Sequence, residues 1–76
     1  MVSHEIIMSQ QLVIRTGQDF DKLGVMDSQD RRYTTKRLLE MELEDRRDTL
    51  IVISGVIGIH YEEAFLNEVL PVADPT

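Results

Sequence analysis

The chain reads as a small α/β domain of strand, helix, strand and helix, a βαβα sandwich with a long loop after the first strand. Three observations predict it. Thr49 to Leu70 carries a continuous β-branched run, Leu50 to Ile53 and Val56 to Ile59, followed by a helix-forming segment. His4 to Arg15 alternates Ile6, Met8, Gln10, Leu12 and Ile14 against Ile7, Ser9, Gln11 and Val13, the period of an extended strand. Arg31 to Arg46 is composed mostly of good helix formers, with Leu39 and Leu43, and Leu38 and Met41, at helical spacing.

In chain order, His4 to Arg15 is predicted to be one long edge-facing strand; the rival is a short helix capped by Ser3. Thr16 to Asp30, with Gly17, Gly24 and the acids Asp19, Asp21, Asp27 and Asp30, reads as a loop leaning on the core. Ser28 and Asp30 both suit the N-cap of the next helix, because a short side-chain oxygen can satisfy an unpaired backbone N–H there. Asp48 and Thr49 turn the chain into the central strand. That strand, rich in Ile and Val on successive positions, predicts cover on both faces. Gly55 and Gly58 then allow a turn. The last helix begins near Glu62 and Glu63, two carboxylates suited to a helix N-terminus, and stops at Pro71, which cannot continue the backbone ladder. Val72 to Thr76 reads as a frayed tail. Two strands joined through a helix are expected to lie parallel. Because two strands are few, a third is expected around Lys22 to Met26, or from a neighbouring chain.

The 76 residues suffice for one domain, 1–76, of limited buried area. Fourteen acidic residues against eight basic ones leave a net charge of -6, and the pI is about 4.7. Such a charge repels nucleic acid and anionic membranes and suits a protein partner with a basic surface. There is no cysteine, which removes disulfides, thiolate metal sites and thiol nucleophiles. The opening MVSHEIIMSQQ lacks the charged and apolar regions of a secretory signal, and no transmembrane run occurs, so a cytoplasmic protein is expected.

Catalytic constellations are sparse. His4 and His60 form no preorganised ligand pair, although His60 lies beside Glu62 and Glu63, so no metal is expected. Gly55 and Gly58 lack the third glycine of a dinucleotide motif and the lysine of a P-loop, so no cofactor is expected either. Ser54 lacks the preceding glycine of a nucleophile elbow. Ser54, His60 and Glu63 are the only candidate groups for an enzyme, and the expectation is that the protein is not one. The densest polar feature is the run Lys36, Arg37, Glu40, Glu42, Glu44, Asp45, Arg46, Arg47 and Asp48. Glu42 with Arg46, Arg37 with Glu40 and Glu44 with Arg47 are spaced to pair on a solvated face. The functional alternative sets Glu40, Glu44 and Asp48 beside Asp19, Asp21, Asp27 and Asp30 in one negative surface.

The stretch ISGVIGIHYEEAFLNEVL resembles the core of STAS-like domains, through Ser54, Gly55 and Val56 and then Ala64, Phe65, Leu66, Asn67 and Glu68, with a looser likeness back to Met26. In that family a strand ending in glycine-valine leads through a short turn to a helix. This chain departs from it where Val52 or Ile53 stands in place of the strand aspartate. Its turn offers His60, Tyr61, Glu62 and Glu63 where the phosphorylated members carry a serine or threonine. The resemblance implies a non-enzymatic regulatory module working by protein–protein contact, possible as a homodimer, with Tyr61, Glu62 and Asn67 in the contact. The alternative from composition is a small acidic inhibitor, of the anti-CRISPR or other anti-defence type, that blocks a basic nucleic-acid-binding groove.

Overall fold

The computed structural model describes residues 11–71. In order they form β1 (Leu12–Ile14), α1 (Gly17–Lys22), α2 (Thr35–Leu39), α3 (Leu43–Val56), β2 (Ile59–Tyr61) and α4 (Glu63–Val69). The class is α/β as expected, and β1 and β2 are parallel, with Leu12 opposite Ile59, Val13 opposite His60 and Ile14 opposite Tyr61. The connection between them carries three helices rather than one. The part of the N-terminal strand expectation that covers 4–10 lies outside the described residues, as does the expected tail from 72.

The stretch expected to be a loop contains α1. Thr16, in extended backbone, accepts the Asp19 N–H on its Oγ1 at 3.2 Å, and Asp19 accepts the Arg15 N–H on Oδ2 at 3.0 Å. Orphan donors at a helix start are thereby satisfied. Gly24, at φ 70°, then lets the chain leave α1 in a conformation costly to other residues. Val25 to Tyr33 doubles back. Tyr33 N–H donates to the Val25 carbonyl at 2.9 Å, and Met26 and Arg32 form an isolated antiparallel bridge. That bridge stands where a third strand was expected; the sheet among the described residues has two strands.

The helix expected over 31–46 is two helices. Its cap is neither Ser28 nor Asp30 but Thr34, whose Oγ1 accepts the Arg37 N–H at 3.1 Å. After α2 the chain breaks at Glu40 to Glu42, Glu42 being extended. Arg46 fits this break: its guanidinium donates to the carbonyls of Leu39, Met41 and Val69 at 3.2, 3.1 and 3.0 Å, gathering the unpaired ends of α2 and α4. The expected stripe divides accordingly. Leu38 is buried and Met41 partly so, while Leu39 and Leu43 are exposed.

The largest correction concerns the central strand. Leu50 to Val56 is the C-terminal half of α3, and Asp48 and Thr49 lie within the helix instead of turning the chain. Strand begins only at Ile59. A short apolar run looks the same whether it belongs to a strand or to a buried helix. Here Leu43 to Asp48 has already nucleated a helix, with Glu44 and Asp45 in its first turn, and extending it costs less than starting a strand. Of Leu50 to Val56 only Leu50 and Ile53 are buried, three apart on one helical face. Ser54, Gly55 and Val56, which the family resemblance would set at the end of a strand, are helical.

The core consists of Ile14, Phe20, Leu38, Leu50, Ile53, Ile59, Phe65 and Val69, so every element contributes to it. Phe65 is its centre. Its ring stacks at 5.4 Å on Phe20 and at 5.7 Å on Tyr61, an offset arrangement that adds to simple burial. α1 starts close against α2 and α4. A Cβ on Gly17 would lie 3.0 Å from both Glu68 Oε1 and Thr35 Oγ1, so a larger residue there would have to displace these two side chains.

Candidate functional site

Among the described residues, the outer face of α3 sets three carboxylates without an ion-pair partner beside three apolar side chains more than half exposed. Leu50 and Ile53 point this helix into the core, and Arg46 anchors it by three backbone carbonyls. The residues on the opposite side follow by helical spacing. Toward the N-terminus they are Glu44, Asp45, Arg47 and Asp48, all exposed. Toward the C-terminus they are Ile51, Val52 and Val56, which are 60%, 63% and 74% exposed, with Gly55 between them. The face therefore has an acidic half and an apolar half.

The pairs expected to neutralise the acids do not form. Arg46 is turned inward, and Arg37 pairs with Asp27, its Nη2 2.6 Å from Oδ2. Among the described residues no ion pair involves Glu40, Glu42, Glu44, Asp45 or Asp48; the ion pairs there are Arg31–Asp27, Arg37–Asp27 and His60–Glu62. The carboxylates of α3 therefore outnumber the one cation on their face, Arg47, and leave it net negative.

The other residues expected at a contact surface are dispersed. Glu44 and Asp48 share the α3 face, whereas Glu40 is exposed at the C-cap of α2. Asp19 is engaged at the start of α1. Asp21 ties α1 to α2, its Oδ1 accepting the Thr35 N–H at 2.7 Å and the Thr35 hydroxyl at 2.9 Å. Asp27 organises the 25–33 hairpin, accepting from Gln29 N at 2.8 Å, Arg31 N at 2.9 Å, Arg31 Nε at 3.1 Å and Arg37. The Arg31 N–H foremost, with the Arg37, Gln29 and Arg31 side-chain and backbone donors, holds its carboxyl well below the usual carboxylate range, against an opposing desolvation effect.

Tyr61 is half-buried, and its hydroxyl donates to the Leu50 carbonyl at 2.9 Å, so the polar tip of this ring braces β2 against α3. Burial pushes its phenol up to about 12. Glu62 is the N-cap residue of α4, with its Oε2 3.4 Å from His60 Nε2 on an exposed rim. Asn67 is exposed on α4.

Other chemistry finds little support in the arrangement. The Ser54 hydroxyl donates back to the Ile51 carbonyl at 2.8 Å, a bond within the helix. No group of three or more His, Asp or Glu side chains among the described residues is placed to hold a metal ion. A shallow hollow of about 330 Å³ lies beside β1 and α1, lined mainly by apolar atoms of Leu12, Val13, Ile14 and Leu23, with Asp19 and Lys22 at its wall. No helix among the described residues is long and apolar enough to cross a membrane.

The apolar half of α3 escapes sequence reasoning because its residues were assigned to a covered strand. The acidic half shows in the sequence as a charge run, whose spacing suggests ion pairs that the fold does not form. Comparison with protein-family models, curated proteins and solved structures finds no match to this chain.

Proposed function

We propose that this chain is a non-enzymatic protein-interaction module that binds a protein with a basic surface through the outer face of α3. The observation that carries the reading is the juxtaposition of Ile51, Val52 and Val56, each more than half exposed, with Glu44, Asp45 and Asp48, which have no ion-pair partner among the described residues. Apolar side chains held in water by a well-anchored helix gain free energy when a partner covers them, about 25 cal/mol per Å². The acids beside them steer a basic partner and set its orientation.

The test is capture from lysate by the wild-type chain and by Ile51→Asp/Val52→Asp, with circular dichroism to verify the fold. Both positions are exposed, so folding should change by no more than about 0.5 kcal/mol each. The double variant should lose the partner, and capture by the wild type should weaken as salt rises. Retention of the same partner by the double variant sinks the reading.

The unpaired acids favour a second reading, a small inhibitor that occupies a basic nucleic-acid-binding groove. It differs in one outcome: DNA or RNA would displace the partner. A complex indifferent to nucleic acid removes it.

A further inference from the structure

Gly55 lies in the last turn of α3, on the exposed side, three and four residues after Val52 and Ile51. Glycine within a helix costs about 0.5–1 kcal/mol relative to alanine, because it loses more backbone freedom on folding. Two features of a fold can justify that cost, and neither operates here. The backbone of Gly55 is not in the left-handed region, where Gly24 is the glycine found. Nor is it crowded: an added Cβ would meet no atom within 4 Å. Inside the described fold, Gly55 serves no purpose that alanine would not serve better.

On the surface it has a consequence. It lowers the helix to its backbone at one point, and Ile51, Val52 and Val56 stand around that point. A notch rimmed by branched apolar side chains admits a side chain from a second helix and lets the two backbones approach closely. About 10 Å along the same face, at 1.5 Å per residue, lies Asp48, with Glu44 and Asp45 beyond it.

We propose that the occupant of this face is an amphipathic helix of another protein, which crosses α3 at Gly55. One apolar side chain fills the notch, and Lys or Arg residues two to three turns along the occupant face Asp48, Asp45 and Glu44. The inference rests on the reading of α3 as the contact surface. Charge decides among occupants. A second copy packed parallel would set its own carboxylates against these, and one packed antiparallel across Gly55 would leave the acids of both copies without a basic counterpart; each chain also carries a net charge of -6. An anionic membrane is repelled by the same carboxylates.

The experiment uses the full chain as bait for a displayed library of helix-forming peptides, in which one face varies among apolar, basic and acidic residues. Parallel selections use Gly55→Ala, Gly55→Leu and Ile51→Asp/Val52→Asp. Thermal melts accompany each bait. Gly55→Ala should melt higher than wild type, yet bind the selected peptides at least 5-fold more weakly, and Gly55→Leu more weakly still. The enriched peptides should carry an apolar position and Lys or Arg two to three turns away. Peptides that bind Gly55→Ala as tightly as wild type, while losing Ile51→Asp/Val52→Asp, overturn the notch and leave the α3 surface standing. Peptides indifferent to Ile51→Asp/Val52→Asp overturn both. Enrichment without basic residues overturns the proposed chemistry. Self-association abolished by Gly55→Leu, or binding that appears only when residues 1–10 are removed, gives the face to a second copy or to the chain's own segment and overturns the proposal.

Discussion

Asp27 shows how one side chain can change from a surface charge to a structural tie. In the sequence it is one of four acids in a loop; in the structure it receives four donors, two from backbone and two from arginine side chains. Arg37, held in this way, also lies 4.5 Å from the centre of the Tyr33 ring and donates to the carbonyls of Arg31 and Arg32. Because the folded state depresses the carboxyl's pKa, Asp27 contributes stability that is fully present well above the ordinary carboxylate value of about 4 and is lost as pH falls through the folded value. Asp27→Asn should therefore lower the melting temperature at pH 7, and the gap to wild type should hold down to about pH 5 and narrow below pH 4. Urea melts from pH 7 to 2.5 check this, and a gap independent of pH contradicts it.

At the scale of elements, α1 and α2 follow the same rule. Each is five or six residues long, too short to be helical alone. Each is started by a threonine in extended backbone whose hydroxyl accepts an N–H three residues on. The first signal was available in the sequence: Thr16, Gly17, Gln18 and Asp19 fit the pattern of a threonine followed three residues later by an acid. The second was not, because Arg37 occupies the position where Glu or Gln would complete the box. Thr34→Ala should cost about 1 kcal/mol, and Thr34→Ser much less. Equal losses for the two in denaturant titrations would mean that the hydroxyl is not the cause. The break between α2 and α3 had no local signal at all, since it accompanies a guanidinium that gathers carbonyls from two helices, one of them 23 residues further along.

At the scale of the molecule, the fold closes around Phe65. It is fully buried between Phe20 of α1 and Tyr61 of β2, elements that lie on opposite sides of the sequence. Truncation of such a ring costs about 3–5 kcal/mol, and a chain of this length has roughly 4–11 kcal/mol to lose. Phe65→Ala should thus leave a substantial unfolded fraction at 37 °C, visible in circular dichroism, while Phe65→Leu should remain folded with a lower melting temperature. A Phe65→Ala chain as stable as wild type would show that the core is centred elsewhere.

Several features follow from sequence alone because they depend on neighbours along the chain. The last helix, from Glu63 to its stop before Pro71, is one; extended backbone at Leu12 to Ile14 is another, although the predicted alternation fails there, Leu12 being exposed where Ile14 is buried. Tertiary structure decided what depends on partners far away. Leu50 to Val56 continues the helix begun at Leu43, and packing of that helix covers Leu50 and Ile53 while leaving Ile51, Val52 and Val56 in water. Arg37 and Arg46 leave Glu40 and Glu42 unpaired because Asp27 and three backbone carbonyls, brought close by folding, take their guanidinium groups instead. A β-branched run states that it is apolar; which of its sides meets a core is settled only when the core exists.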